Sequence, residues 1–454
     1  MTEQGVRWTS DQVLALAPDD ASRRAGSKLG SVGPWSGTGT DGDAVWGLCK
    51  GSGRTPYRTA VDLTGPAYMC SCPSRKFPCK HALGLLLLWS GGDAGGAGTP
   101  PDWAAGWLDG RRARAAAPPP GPAGSGPADP AAARRRAERR AARITLGAQE
   151  LEQRLADLLR GGLAGAERAG YGQWEETAAR MVDAQAPGLA GRVRELGAIP
   201  GSGPGWPVRL LEECALTHLL DRAWLSADRL PGPLAATVRS RVGLSAAPDG
   251  PTVRDAWQVL AQYETSDSRL TTRRVWLRGA ATGRTALLLS FGAAGRAPQL
   301  AFPVGLVLDA ELRPHAASGG LRAELVEQFG PPEPAGPPPA GTPVGPALAT
   351  YGRALREDPW LDSWPVTLAE VVPARSADGW QLADGSPRTG PSDGAPVRDA
   401  IPLTRAAQQQ PGLWRLVALS GGGPLTVFGE IGHQGFLPLA AWGPEAPGET
   451  VALM

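Results

Sequence analysis

The sequence predicts a multidomain α+β protein: a small N-terminal metal-binding module, a flexible linker, a helical bundle and a mixed α+β C-terminal region. Three observations predict it. Cysteine and histidine cluster between residues 70 and 81, apolar residues recur at helical spacing from about residue 130, and short turn-bounded apolar runs follow Thr271. The expected divisions are 1–90 for the metal module, 91–129 for a Gly/Ala/Pro-rich linker and 130–265 for an Arg-rich helix with a bundle. Short strands are expected over 266–330, a Pro-rich linker over 331–346 and a mixed region over 347–454.

In the first module a helix is expected over Ser10–Leu16, and strands at Ala44–Leu48, Tyr57–Leu63 and Ala67–Cys72. Thr64-Gly65-Pro66 supplies the turn between the last two. Residues 91–129, with Pro118-Pro119-Pro120, read as chain that cannot bury enough apolar surface to offset its ordering entropy. Asp129 followed by Pro130 starts a helix running to about Arg160, solvated and basic at first, then amphipathic through Leu151, Leu155, Leu158 and Leu159. Helical spacing recurs at Trp174, Ala178, Met181 and Val182, at Leu189, Val193 and Leu196, and at Leu210, Leu211, Cys214 and Leu219 with Trp224. Breaks at Pro187, Pro200–Pro207 and Pro231–Pro233 make this an antiparallel bundle. Strands are then expected at Arg274–Leu277, Ala286–Phe291, Leu300–Phe302, Gly305–Leu308, Trp414–Leu419 and Leu425–Glu430.

The 454 residues include 62 Gly and 45 Pro, yet 42% are hydrophobic and 16 are Trp, so a wholly disordered chain is excluded. A net charge of +2 excludes a uniformly basic coat for nucleic acid and confines any polyanion contact to a local patch. Residues 1–90 carry 10 basic and 7 acidic groups, and residues 111–143 carry 9 Arg against two acids. The start of the chain lacks a cationic stretch followed by an apolar run, and Ala82–Trp89 falls short of the roughly 20 apolar residues that span a bilayer. A soluble, cytoplasmic protein with no membrane partner and reduced cysteines is expected.

The informative stretch is Cys70-Ser71-Cys72-Pro73-Ser74-Arg75-Lys76-Phe77-Pro78-Cys79-Lys80-His81, which reads C-x-C, six residues, then C-x-H. Residues two apart on an extended strand project to one side, so Cys70 and Cys72 can present both sulfurs to one point. Pro73 and Pro78 bracket a returning turn, after which Cys79 and His81 open a helical apolar run. Three thiolates and an imidazole complete a tetrahedral zinc shell with no position open to water, so one structural zinc is expected. Arg75, Lys76 and Lys80 can offset the net charge of −1 that three thiolates leave on a divalent ion.

This arrangement resembles the SWIM zinc finger, and the wider stretch from Gly51-Ser52-Gly53 through Pro56-Tyr57 and Val61-Asp62-Leu63 to Leu88 is similar to bacterial SWIM-finger proteins. The resemblance implies a ββα finger with Cys70 and Cys72 on the hairpin and Cys79 and His81 at the start of the helix. It also implies DNA or protein binding. It spans a fifth of the chain and is specific for the metal, not the partner. Losing one ligand, as in Cys72→Ser, is expected to unfold residues 57–90 and to leave the helical region intact.

Other constellations are weaker. Cys214 and His218 are spaced i, i+4 on a helix but have no second pair, His315 and His433 being isolated, and they read as packed residues. Cys49 reads as a buried, inert thiol. Gly37-Thr38-Gly39-Thr40-Asp41-Gly42 has neither the preceding strand nor the following helix of a dinucleotide site and reads as a turn. No nucleophile-elbow, phosphate-loop or zinc-protease pattern occurs, so no enzyme activity is expected, the region after residue 265 being its only conceivable home. Arg134, Arg135, Arg136, Arg139, Arg140 and Arg143 read first as a solvated face. The sequence expectation is thus a zinc module that recognises another protein. The alternative is DNA binding, with Arg75, Lys76, Lys80 and the Arg134–Arg143 helix on phosphates, and the oligomeric state stays open.

Overall fold

The computed structural model describes residues 8–454 except 19, 52, 66, 75, 77, 117–129, 245–249, 267–269, 294–300, 316–319, 387 and 390–395. The mixed α+β, multidomain organisation expected from the sequence is present.

The chain opens with α1 (Ser10–Ala15) and α2 (Asp20–Ser27), then β1 (Trp35–Thr40), β2 (Ala44–Cys49), β3 (Tyr57–Asp62) and β4 (Ala67–Cys70), followed by α3 (Lys80–Ser90). Thr9 caps α1 through a reciprocal pair of bonds with Gln12. The four strands form one antiparallel sheet in sequential order. Helix α3 covers one face of it, and Val45, Val61, Leu83, Leu85 and Leu86 share a core with Trp8, Val13 and Leu16 from the entry to α1 and from α1 itself. Seven apolar residues in the eight-residue run Ala82–Trp89 leave α3 no polar side, so it is enclosed all round.

The other face is covered by α4 (Asp102–Ala116), whose Ala104 and Leu108 bury against Ala44, Trp46 and Ala60. Arg111 fixes the helix by donating to Asp62 at 2.9 Å. This corrects the linker expected over 91–129. Its bulk composition concealed an i, i+4 apolar pair flanked by Trp103 and Trp107, and residues 117–129, with the Asp129 cap, lie outside the described residues. The turn expected at Gly37–Gly42 is likewise only partly one. Residues 37–40 belong to β1, with an irregularity between Ser36 and Gly39, and the chain reverses at Asp41–Asp43.

The bundle comprises α5 (Pro130–Gly161), α6 (Ala164–Asp183), α7 (Pro187–Ala198), α8 (Trp206–Leu225) and α9 (Gly232–Arg241), with a 3-10 turn at Ala227–Arg229. Its core joins Ile144, Leu151, Met181, Leu189, Val193, Leu210 and Leu220. Four of these helices start with Pro in the first turn, where a missing N–H costs nothing.

A second sheet follows, built from β5 (Val253–Ser266), β6 (Leu270–Gly279), β7 (Thr285–Ala293), β8 (Leu306–Pro314), β9 (Arg322–Gln328) and β10 (Glu333–Pro334), in the order β10-β8-β5-β6-β7-β9. Residues 253–265, expected at the end of the bundle, are strand, paired with β8 on one side and β6 on the other. Leu300–Phe302 is not the strand expected: Leu300 is outside the described residues, and buried Phe302 sits in irregular chain.

The last part comprises α10 (Val344–Glu357), β11 (Ser363–Ser376), β12 (Gly379–Asp384), β13 (Arg388–Thr389), β14 (Pro396–Val397), β15 (Ala400–Pro402), α11 (Arg405–Gln408), α12 (Gly412–Ser420), β16 (Leu425–Gly432), β17 (Gly435–Trp442) and β18 (Val451–Ala452). Its main sheet runs β15-β12-β11-β16-β17-β18, with β13 and β14 paired separately. The strand expected at Trp414–Leu419 is helix α12. Leu413 and Leu416 bury at helical spacing, and Gly421, at φ 52°, supplies the left-handed stop.

The units are tied by polar contacts. Trp360 lies in the bundle core and donates its indole N–H to the Leu216 carbonyl at 2.9 Å, while Arg241 pairs with Asp358 at 2.6 Å. Glu430 accepts from Tyr263 at 2.6 Å and Trp276 at 2.9 Å, joining the two larger sheets. Among the described residues no helix is long and apolar enough to cross a membrane.

Candidate metal centre

The hairpin β3–β4 and the start of α3 bring four ligand atoms together. Cys70 ends β4, Cys72 follows two residues on, Cys79 is the N-cap of α3 and His81 is its second residue. One donor atom from each lies within 4.8 Å of every other. The Cys70 Sγ to His81 Nδ1 distance is 3.6 Å. A tetrahedral ion with Zn–S near 2.3 Å and Zn–N near 2.0 Å sets sulfur and nitrogen about 3.5 Å apart, so the spacing fits zinc. Cys79 and His81 are buried and the other two half-buried.

The chemistry of the donors also fits. The Cys70 thiol is pulled down, first by a hydrogen bond from Cys79, with burial opposing and His81 and Thr59 assisting. Cys79 is pushed up by that same bond and by burial, and Cys72 is pushed up chiefly by burial. The pocket on its own favours one ionised sulfur. A divalent cation supplies the charge that lets all three ionise. Backbone N–H groups of Cys72 and Ser74 favour the thiolates of Cys70 and Cys72. Cys79 has no capping bond in the strict sense, yet the N–H of Ala82 favours its thiolate too.

A supporting layer comes from the sheet. Buried Thr59 places its hydroxyl 3.4 Å from Cys70 Sγ, and Tyr57 packs its ring on His81 with centroids 4.8 Å apart. Gly51 makes room for that ring, since a Cβ there would come within 2.6 Å of Tyr57. Thr59 was missed by sequence reasoning. It is 11 residues from Cys70, and only the pairing register of β3 with β4 sets them opposite each other.

The other candidates separate from this centre. Cys49 is fully buried and its thiol is pushed up, mainly by burial with Cys70 adding, so it is inert and outside the ligand set. His218 bonds Glu152 at 2.7 Å while Cys214 is buried, and the two belong to no ligand cluster among the described residues. His315 faces Glu324 at 3.4 Å, and His433 is exposed. Lys76 and Lys80 are exposed beside the ligands, whereas Arg75 lies outside the described residues. Arg134, Arg135, Arg136, Arg139 and Arg143 are exposed on α5, and Arg140 is half-buried. Arg140 donates to the Gly243 carbonyl at 3.1 Å and Arg143 to Gln185 at 2.9 Å, so these two are engaged within the bundle.

Comparison with curated proteins and with solved structures finds no match. Family models match two parts of the chain: the SWIM zinc finger at residues 61–89 and the SWIM-associated four-helix bundle domain at residues 139–242. With its Cys70, Cys72, Cys79 and His81 centre able to hold one zinc ion, the chain therefore carries a SWIM zinc finger together with the bundle domain associated with it.

Proposed function

We propose that the zinc finger is a scaffold for recognition of another protein, and that the recognising surface is the ligand loop instead of the helix. The observation that carries this reading is the burial of α3, where His81 to Leu86, Leu88 and Trp89 are enclosed by the sheet, α1 and α2. A helix enclosed in this way cannot enter a DNA groove. What the finger offers outward is Ser71, Pro73, Ser74, Lys76 and Lys80, together with the outer edge of β4. An edge strand and a rigid loop are the elements by which an extended partner segment is bound. The zinc, enclosed by four protein ligands, holds the loop in shape and takes part in no reaction.

The test is affinity capture with the full chain beside the Lys76→Glu/Lys80→Glu variant, both loaded with one zinc. A protein retained by the first and at least tenfold depleted on the second supports the reading. Equal recovery on both contradicts it.

A second reading, DNA binding, is favoured by the exposed Arg134, Arg136 and Arg139 on the first turns of α5. Three phosphate contacts give a slope of about −2.7 in log K against log salt on duplex DNA. Neutralising the three should abolish that slope. Binding that is unchanged by the substitution removes α5 from the reading.

A further inference from the structure

Helix α8 is apolar on two sides. Leu210, Cys214, Leu220 and Trp224 face the bundle core, as a packed helix requires. On the opposite side Val208, Leu211 and Leu219 are 61%, 47% and 44% exposed, with Ala215 exposed between them. At 3.6 residues per turn these four lie within one narrow stripe. A helix that is apolar all round is normally buried all round.

The stripe is widened by α5. Thr145 meets Trp224 and Glu152 meets His218, so α5 and α8 run antiparallel, and the same register sets Leu159 beside Leu211. Leu159 is 46% exposed. The patch thus spans two helices of the bundle.

Its charges are arranged head to tail. Glu212 flanks the stripe near the start of α8 and Arg222 near its end. Both are exposed, and neither has an ion-pair partner among the described residues. The nearby Arg209, Glu213 and His218 are already engaged, with the 202–204 loop, Arg192 and Glu152 respectively. Such a face is complementary to itself when inverted. We propose that it is the interface of a two-fold dimer, in which α8 packs antiparallel to α8 of a second copy. Leu219 of each copy seats over the small Ala215 of the other, and Glu212 stands level with Arg222 of the other. A two-fold axis makes each contact twice, which is the usual geometry of a homodimer.

Sedimentation equilibrium of the full zinc-loaded chain tests this. The wild type should be dimeric at micromolar concentration. Leu211→Glu/Leu219→Glu should be monomeric with unchanged far-ultraviolet dichroism, because both residues are at the surface. Glu212→Arg and Arg222→Glu should each weaken the dimer at least tenfold, and the double exchange should restore it. A monomeric wild type, or a double exchange no better than either single one, overturns the proposal.

Discussion

Two side chains show how burial decides chemistry at single positions. Cys70 and its neighbours are partly or fully buried where a cation can compensate them; Asp221 is buried where nothing does. Asp221 on α8 is fully enclosed, neither carboxyl oxygen has a hydrogen-bond partner, and burial with Glu152 nearby pushes the group up to about 8. Its folded value lies above the unfolded one, so the folded state keeps a proton that the unfolded chain releases. Stability is therefore lost as pH rises from about 4 to about 8 and levels off beyond. Asp221→Asn should be little changed at pH 4 and more stable than wild type at pH 8 by about 1 to 3 kcal/mol. Thermal melts at both values check this, and a constant difference between them contradicts it. The zinc ligands themselves were readable from the sequence because all four fall within twelve consecutive residues. Thr59 and the Tyr57 packing on His81 were not, since they depend on how strands pair.

Elements were readable where local pattern and tertiary context agree. Helices α1, α5 and α8 carry caps, first-turn prolines or long apolar periods, and they lie where these signals put them. Two of the disagreements come from weak local signals. A short apolar run such as Leu413–Leu419 fits strand or helix equally, and α4 buries only two small or medium side chains, so its signal was lost in a Gly- and Ala-rich background. Close packing between elements is a separate constraint. Gly188 at the start of α7 lies against the backbone of α9, where a methyl group would run into the Arg241 carbonyl. Gly188→Ala should destabilise the bundle by about 1 to 3 kcal/mol and leave the zinc stoichiometry at one. Denaturant titration with metal analysis measures both; a variant that loses zinc in step with stability would refute the separation of bundle and finger.

Across the whole molecule the finger proves larger than the ligand motif. Helices α1 and α2 pack on α3 from one side, α4 closes the other face of the sheet, and Ala301, from the chain leading into β8, and Leu306 of β8 enter the same core. The metal accordingly braces a unit that extends beyond residues 57–90, whereas the bundle has its own core, with Trp360 inserted from the C-terminal region. Structural zinc contributes apparent binding energies of about 10 to 16 kcal/mol at neutral pH, more than an 80-residue Gly-rich module supplies by itself. The most direct measurement is hydrogen exchange, resolved by segment, on Cys72→Ser beside the wild type. Protection should collapse across α3, β3 and β4 and weaken in α1 and α2, while residues 139–242 exchange as before. Equal protection of α3 in both proteins would contradict the account.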